Sequence, residues 1–209
     1  MRLYIKGDYT KEIPFDYMEL AKRMWFDTKD GKTVDISYFG NTRPFKTDPT
    51  IHLKLNKWMH DNRWNNVQLK EGIINKFGSH VYENLELDFE DNPATDYREK
   101  GDCLRLATTH LDLLTVDKRA MYIMAVEVAS AIDGQISEDD KETWMDVETF
   151  KELHKDVLSL SYDKATDISV EELKSLKPVE EPLWDEEERL REEYIKIHGE
   201  RVYDDEEDE

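Results

Sequence analysis

A chain of 209 residues with 49 acids against 29 bases carries a formal net charge of −20, which repels phosphate backbones and anionic lipid and attracts basic surfaces. Hydrophobic residues make up 38 % and charged residues 37 %, against a usual ~45–50 % and ~25 %, so part of the chain lies outside any core. Cys103 is the single cysteine. That excludes an internal disulfide and a cysteine-based zinc site within one chain, and the absence of a signal-peptide core or of any run approaching ~18 apolar residues makes a cytoplasmic protein the expectation.

In chain order, Arg2–Tyr9 alternates Leu3 and Ile5 with polar residues and reads as a strand. Pro14 suits a first helical position, and Tyr17, Met18, Ala21, Met24 and Trp25 recur at helical spacing, which predicts a helix ending near Asp27. A turn at Lys29–Lys32 leads to Val34, Ile36 and Tyr38, which alternate as a strand with one wet face. Two prolines make Gly40–Thr50 a loop. Residues 51–62 fit a helix through Ile51, Leu55, Trp58 and Met59 or a strand through Ile51, Leu53 and Leu55; the helix is preferred because Trp58 and Met59 continue only that pattern. Val67–Phe77 reads as a further helix closed by Gly78.

Leu85, Leu87 and Phe89 alternate with Glu86, Asp88 and Glu90, which predicts a strand with an acidic outer edge. After a loop at Asp91–Asp102, Cys103–Thr115 reads as a long strand with a bulge between Thr108 and His110, since Leu104 and Leu106 are out of phase with Leu111 and Leu113. Asp117–Ile132 is apolar on nearly every side, as a core helix is, and Gly134 stops it. Gln135–Met145 predicts a short hairpin with an acidic turn, and Asp146 caps a helix through Phe150, Leu153, Val157 and Leu158. Ser169 and Glu172 have capping-box spacing, which predicts a short helix opening at Ser169 and closed by Pro178.

Val179–Glu209 holds fifteen acids and four bases. Within it Leu183, Leu190 and Ile197 recur at seven residues with Trp184 and Tyr194 beside them, which predicts an amphipathic acidic helix in residues 179–199. Residues 200–209 have no core-forming cluster of residues and are expected to be disordered. Residues 1–178 read as one α+β domain, or as two related strand-helix-strand halves, around a mixed or antiparallel sheet.

No glycine-rich phosphate loop, HExxH or GxSxG is present, which argues against the nucleotide, metalloprotease and hydrolase chemistries those motifs carry. An EF-hand begun at Asp133 puts Gln135 third and Trp144 twelfth, where carboxylates are required. His110-x-Asp112 is the tightest His–carboxylate pair and, on a strand, would put both groups on one face, but two ligands are too few for a metal. The aromatic segment Trp58–Trp64 contains Arg63 and follows Lys54 and Lys57, yet three bases do not offset the net charge, so Trp58 and Trp64 read as core or interface aromatics.

These observations point to a non-enzymatic α+β binding module, without cofactor, metal, nucleic-acid or membrane ligand, that inhibits a basic or nucleic-acid-binding protein. By charge and size alone it compares with immunity proteins that block nuclease toxins and with phage-type inhibitors that mimic DNA charge against restriction or CRISPR enzymes. The residues expected to meet the partner are Glu86, Asp88 and Glu90 on the wet strand face, and Trp184, Leu190, Tyr194 and Ile197 on the acidic helix, whose stripe could also pair with a second copy. The alternatives are an enzyme with a dispersed site using His110 and Asp112, and an accessory subunit of an assembly.

Overall fold

The computed structural model describes residues 1–25, 36–39, 50–56, 63–64, 82–91, 100–110, 112–175, 189, 192–197 and 199. The expected turn at Lys29–Lys32, the helix at Val67–Phe77, Trp58, Met59, Trp184, Leu190 and the end segment 200–209 lie outside the described residues.

The fold is α+β. Strands β1 (Arg2–Lys6), β2 (Ile36–Phe39), β3 (Ile51–Asn56), β4 (Tyr82–Asp91), β5 (Lys100–Thr108), β6 (Gln135–Ser137) and β7 (Met145–Asp146) form one sheet in the order β2-β3-β4-β5-β1-β6-β7. Every pairing is antiparallel. Helix α1 (Tyr17–Trp25) follows β1 and α2 (Thr115–Ala131) follows β5, while α3 (Val147–Leu153), α4 (Lys155–Leu158) and α5 (Tyr162–Ser175) close the described body.

Side-chain alternation sorts each strand into two faces. Leu3, Ile5, Leu53, Leu85, Leu87, Leu104, Leu106 and Ile136 are fully buried on the inner face, against Leu20 and Met24 of α1 and Met121, Met124, Ala125 and Val128 of α2. Helix α2 lies at the centre of the helical layer and contacts α1, α5, α3, α4 and β1, which is why it is apolar almost all round.

Residues 51–56 are strand, not helix: Ile51 and Leu53 alternate into the core and the segment pairs with both β2 and β4. The sheet's demand for a partner on each side outweighs the local pattern. Helix α1 begins after Asp16 and not at Pro14, because Asp16 Oδ1 accepts from the Glu19 amide at 2.8 Å while Glu19 Oε2 accepts from the Asp16 amide at 3.1 Å, a reciprocal capping box. Strand β5 stops at Thr108 with no bulge into a second half; the change of phase after Leu106 marks the end of the strand. The bulge in this pair lies instead between Phe89 and Asp91 of β4.

Ser169 does not open a helix. Helix α5 starts at Tyr162, with Ser161 Oγ accepting from the Lys164 amide at 3.2 Å. Ser169 and Glu172, seven and ten residues along, cap a different helix: Ser169 Oγ accepts from the Val116 amide at 2.8 Å, and Glu172 accepts from the Thr115 amide at 2.8 Å and from its hydroxyl at 2.6 Å. They satisfy orphan donors at the start of α2, whose own cap position, Leu114, has no side-chain acceptor.

Candidate functional site

Three polar clusters stand out from the apolar frame. At one end of the β4–β5 pair, Glu83 and His110 are buried at 2 % and 5 % exposure. Glu83 Oε2 meets His110 Nδ1 at 2.8 Å, and Glu83 Oε1 accepts from the amides of Asn84 at 3.0 Å and Thr109 at 2.8 Å. His110 lies beyond the strand, so the expectation that alternation places it beside Asp112 on one strand face is overturned: the carboxylate it meets comes from β4. The backbone carbonyl of His110 accepts from the Thr108 hydroxyl at 2.7 Å and from the Met1 amine at 3.2 Å. The arrangement joins the start of β1, the start of β4 and the end of β5.

The second cluster is the turn between β6 and β7. Asp139 Oδ1 accepts from Ser137 Oγ at 2.8 Å and from the Thr143 amide at 2.9 Å, and Asp139 also takes the Thr143 hydroxyl. Those bonds, led by the Thr143 hydroxyl, pull its carboxyl down to about 2. The turn is a solvated hairpin held by its own Asp, as its sequence predicts. Asp140 and Lys141 follow with φ of 53° and 73°, left-handed values that non-glycine residues adopt at a cost of order 1 kcal/mol or more. Glu138, just before them, meets His154 Nε2 at 2.8 Å, and His154 packs its ring 4.2 Å from that of Tyr122 and 4.5 Å from that of Phe150. Burial, with Glu138 and Asp156 nearby, pushes the Tyr122 phenol up.

The third cluster lies on the sheet face away from the helices. Glu86 approaches His52 at 3.6 Å and Arg105 at 3.9 Å; Asp88 accepts from the Thr50 hydroxyl at 3.0 Å; Glu90 takes both the Lys141 ammonium, at 2.9 and 2.7 Å, and the Cys103 thiol, at 3.4 Å. Glu86, Asp88 and Glu90 do occupy one wet face, but each is engaged by groups of the protein itself, among bases from neighbouring strands. Glu90, Asp102 and Cys103 bring three donor atoms within 4.8 Å of one another. The ammonium of Lys141 already supplies a cation there, and burial followed by the Glu90 carboxylate pushes the thiol up to about 12, so the trio does not fit a thiolate metal site as it stands.

Among the described residues the exposed negative charge is densest elsewhere. Residues 138–175 contain twelve carboxylates and five lysines, and ten of the twelve are exposed. Glu148, Glu152 and Asp156 continue from the turn through α3 and α4, and Asp163, Asp167 and Glu171 line one face of α5 at four-residue spacing. Asp163 and Asp167 hold the Arg63 guanidinium at 3.0 and 2.9 Å, while Trp64 beside it is buried at 2 %, a core aromatic as expected. Asp133, Asp146 and Glu148 border a shallow groove of about 360 Å³ floored by Ala129 and Val147. Sequence reasoning placed the partner surface on one strand face and on the acidic helix of residues 179–199, and missed this stretch; the signal was the run of unalternated acids from Glu138 to Glu172.

Of the predicted apolar stripe in the acidic segment, Tyr194 and Ile197 are described. Residues 192–197 are helical, Tyr194 is half-buried and Ile197 is 71 % exposed. Gly199 follows with φ of 84° and its amide bonds the Ile195 carbonyl at 2.7 Å, the left-handed helix end that glycine favours. No protein family, curated protein or solved structure matches the chain. Among the described residues no helix is long and apolar enough to cross a membrane.

Proposed function

We propose that the protein is a non-enzymatic acidic binding module that occupies the basic surface of another protein, and that it inhibits a partner whose own ligand is a nucleic acid. The observation that carries this reading is the exposed carboxylate field of residues 138–175, ten exposed acids over the turn and α3 to α5, continued in sequence by the fifteen acids of Val179–Glu209. Such a field accelerates encounter with a basic protein and disfavours acidic ones. Ile197, exposed on a helical turn beside Glu192 and Glu193, offers an apolar contact within that field.

The test is capture from a host extract at low salt, identification of the protein retained, and measurement of its association rate from low salt to 1 M. A basic partner whose association slows as the Debye length shrinks from about 10 Å to 3 Å supports the reading. An acidic partner, or a rate indifferent to salt, overturns it. Inhibition is then read directly as loss of the partner's nucleic-acid binding or cleavage when the complex forms.

A further inference from the structure

We infer that the turn between β6 and β7 is a latch over the outer sheet face, and that its opening decides whether Cys103 can be modified by a thiol-reactive electrophile. Tyr4 and Cys103 both lie on the outer phase of their strands, opposite the helices, yet are 5 % and 1 % exposed. The turn reaches back across that face. Asp140 Oδ1 accepts from the Tyr4 hydroxyl at 3.2 Å, and Lys141 places its ammonium on Glu90 and 5.1 Å from the centre of the Tyr4 ring. Lys6 of β1 in turn sits 4.2 Å from the centre of the Trp144 ring. Glu90 links latch to thiol, since one carboxylate takes both the Lys141 ammonium and the Cys103 Sγ–H.

These contacts are ionic, hydrogen-bonded or cation–π, the kinds that partly exposed groups make weakly and that salt screens. The strands that carry the turn are three and two residues long and end the sheet, so the latch belongs to the low-stability end of the fold, where sub-global opening is expected. The turn keeps its own shape when it lifts, because the bonds of Asp139 to Ser137 and Thr143 are internal to it. Closed, the thiol is buried and neutral; open, it is solvated beside Glu90 and Asp102. In reaction with an aromatic disulfide, the thiolate attacks one sulfur, a mixed disulfide with Cys103 forms, the other half leaves as an aromatic thiolate, and the thiol proton passes to solvent.

Because Cys103 is the only cysteine, labelling of the full chain by dithiobis-nitrobenzoate reports this site alone. Lys141→Met, which keeps much of the stem and removes the ammonium, is expected to label at least about fivefold faster than the unaltered chain. Raising salt should accelerate the unaltered chain by a larger factor than the variant, because screening of the repulsion between the acidic chain and the anionic reagent acts on both, while only the unaltered chain has the ammonium contact to loosen. The ammonium itself lowers the thiol's pKa, so its loss alone would slow attack, and acceleration therefore reports opening. Equal rates in the two chains, both matching global unfolding in the same buffer, would overturn the latch. If Lys141→Met does not fold, labelling of the unaltered chain along a denaturant series decides: a slope much smaller than that of global unfolding supports the latch, and an equal slope refutes it.

Discussion

Glu83 shares its phase with Leu85 and Leu87, so β4 carries a carboxylate on its apolar face. That is a signal the sequence displays, because a buried acid demands a partner. The identity of the partner is not displayed: His110 is 27 positions away and meets Glu83 only through the β4–β5 pairing. Reading His110 with Asp112 followed proximity in sequence, which fails once the strand ends at Thr108. Glu83→Gln and His110→Ala should each destabilise the fold by about 2–4 kcal/mol, since each leaves the other group buried and under-bonded. The double variant should cost less than the sum, which denaturant unfolding of all three chains checks. Asp139 gives a pH-dependent counterpart. Its pKa is depressed to about 2 when folded, against about 3.9 unfolded, so its contribution is complete above the unfolded value and is lost as pH falls from about 4 towards 2. Asp139→Asn should flatten that part of the stability profile, seen by comparing melting temperatures across the window.

The elements that were legible are those whose local pattern and tertiary role agree. The alternation of β4, the all-round apolar α2 and the Asp146 cap, whose Oδ1 accepts from the Thr149 amide at 2.7 Å, each carry one message. Residues 51–56 carried two, because alternation and helical spacing share Ile51 and Leu55, and only the neighbouring strands choose between them. Ser169 and Glu172 were recognised as capping residues by their spacing, but three residues apart on α5 they face another helix and cap it instead. Removing them tests that assignment: Ser169→Ala and Glu172→Gln should each cost about 1 kcal/mol, with increased amide exchange at Thr115 and Val116 while α5 stays protected. Arg119, buried in α2, works in the same way from the other side. Its guanidinium donates to the carbonyls of Met24 and Leu160, each at 2.7 Å, and so gathers the ends of α1 and α4. Nothing in its sequence surroundings announces that role.

At the scale of the whole molecule, 49 acids against 29 bases make self-repulsion a term in stability. Raising salt from about 0.01 M to 0.15 M should raise the melting temperature, because screening relieves the compact state more than the expanded one. The same change should loosen the β6–β7 turn, so global stability and thiol protection are expected to move in opposite directions. In the proposed complex, Glu148→Lys, Glu152→Lys and Asp156→Lys together should slow association by about tenfold or more, with a smaller change in dissociation. The side chains involved are exposed, so circular dichroism should remain that of the unaltered chain, and rapid-mixing kinetics with the captured partner supplies the rate.

The place of β1 in the sheet has a consequence for how the chain is made. Leu3 and Ile5 lie opposite Leu106 and Leu104, and Tyr4 and Ile5 also face Ser137 and Ile136, so β1, made well before β5 and β6, finds neither sheet neighbour until about a hundred further residues have followed. At about 5–20 residues per second, the hundred or so residues between Ile5 and Leu104 take roughly 5–20 seconds to appear. Strands β2 to β5 are consecutive neighbours and can zip as they emerge. Strand β1, with α1 behind it, must wait unpaired and then enter between β5 and β6, which makes it, among the described strands, the one whose apolar face stays longest without its sheet neighbours.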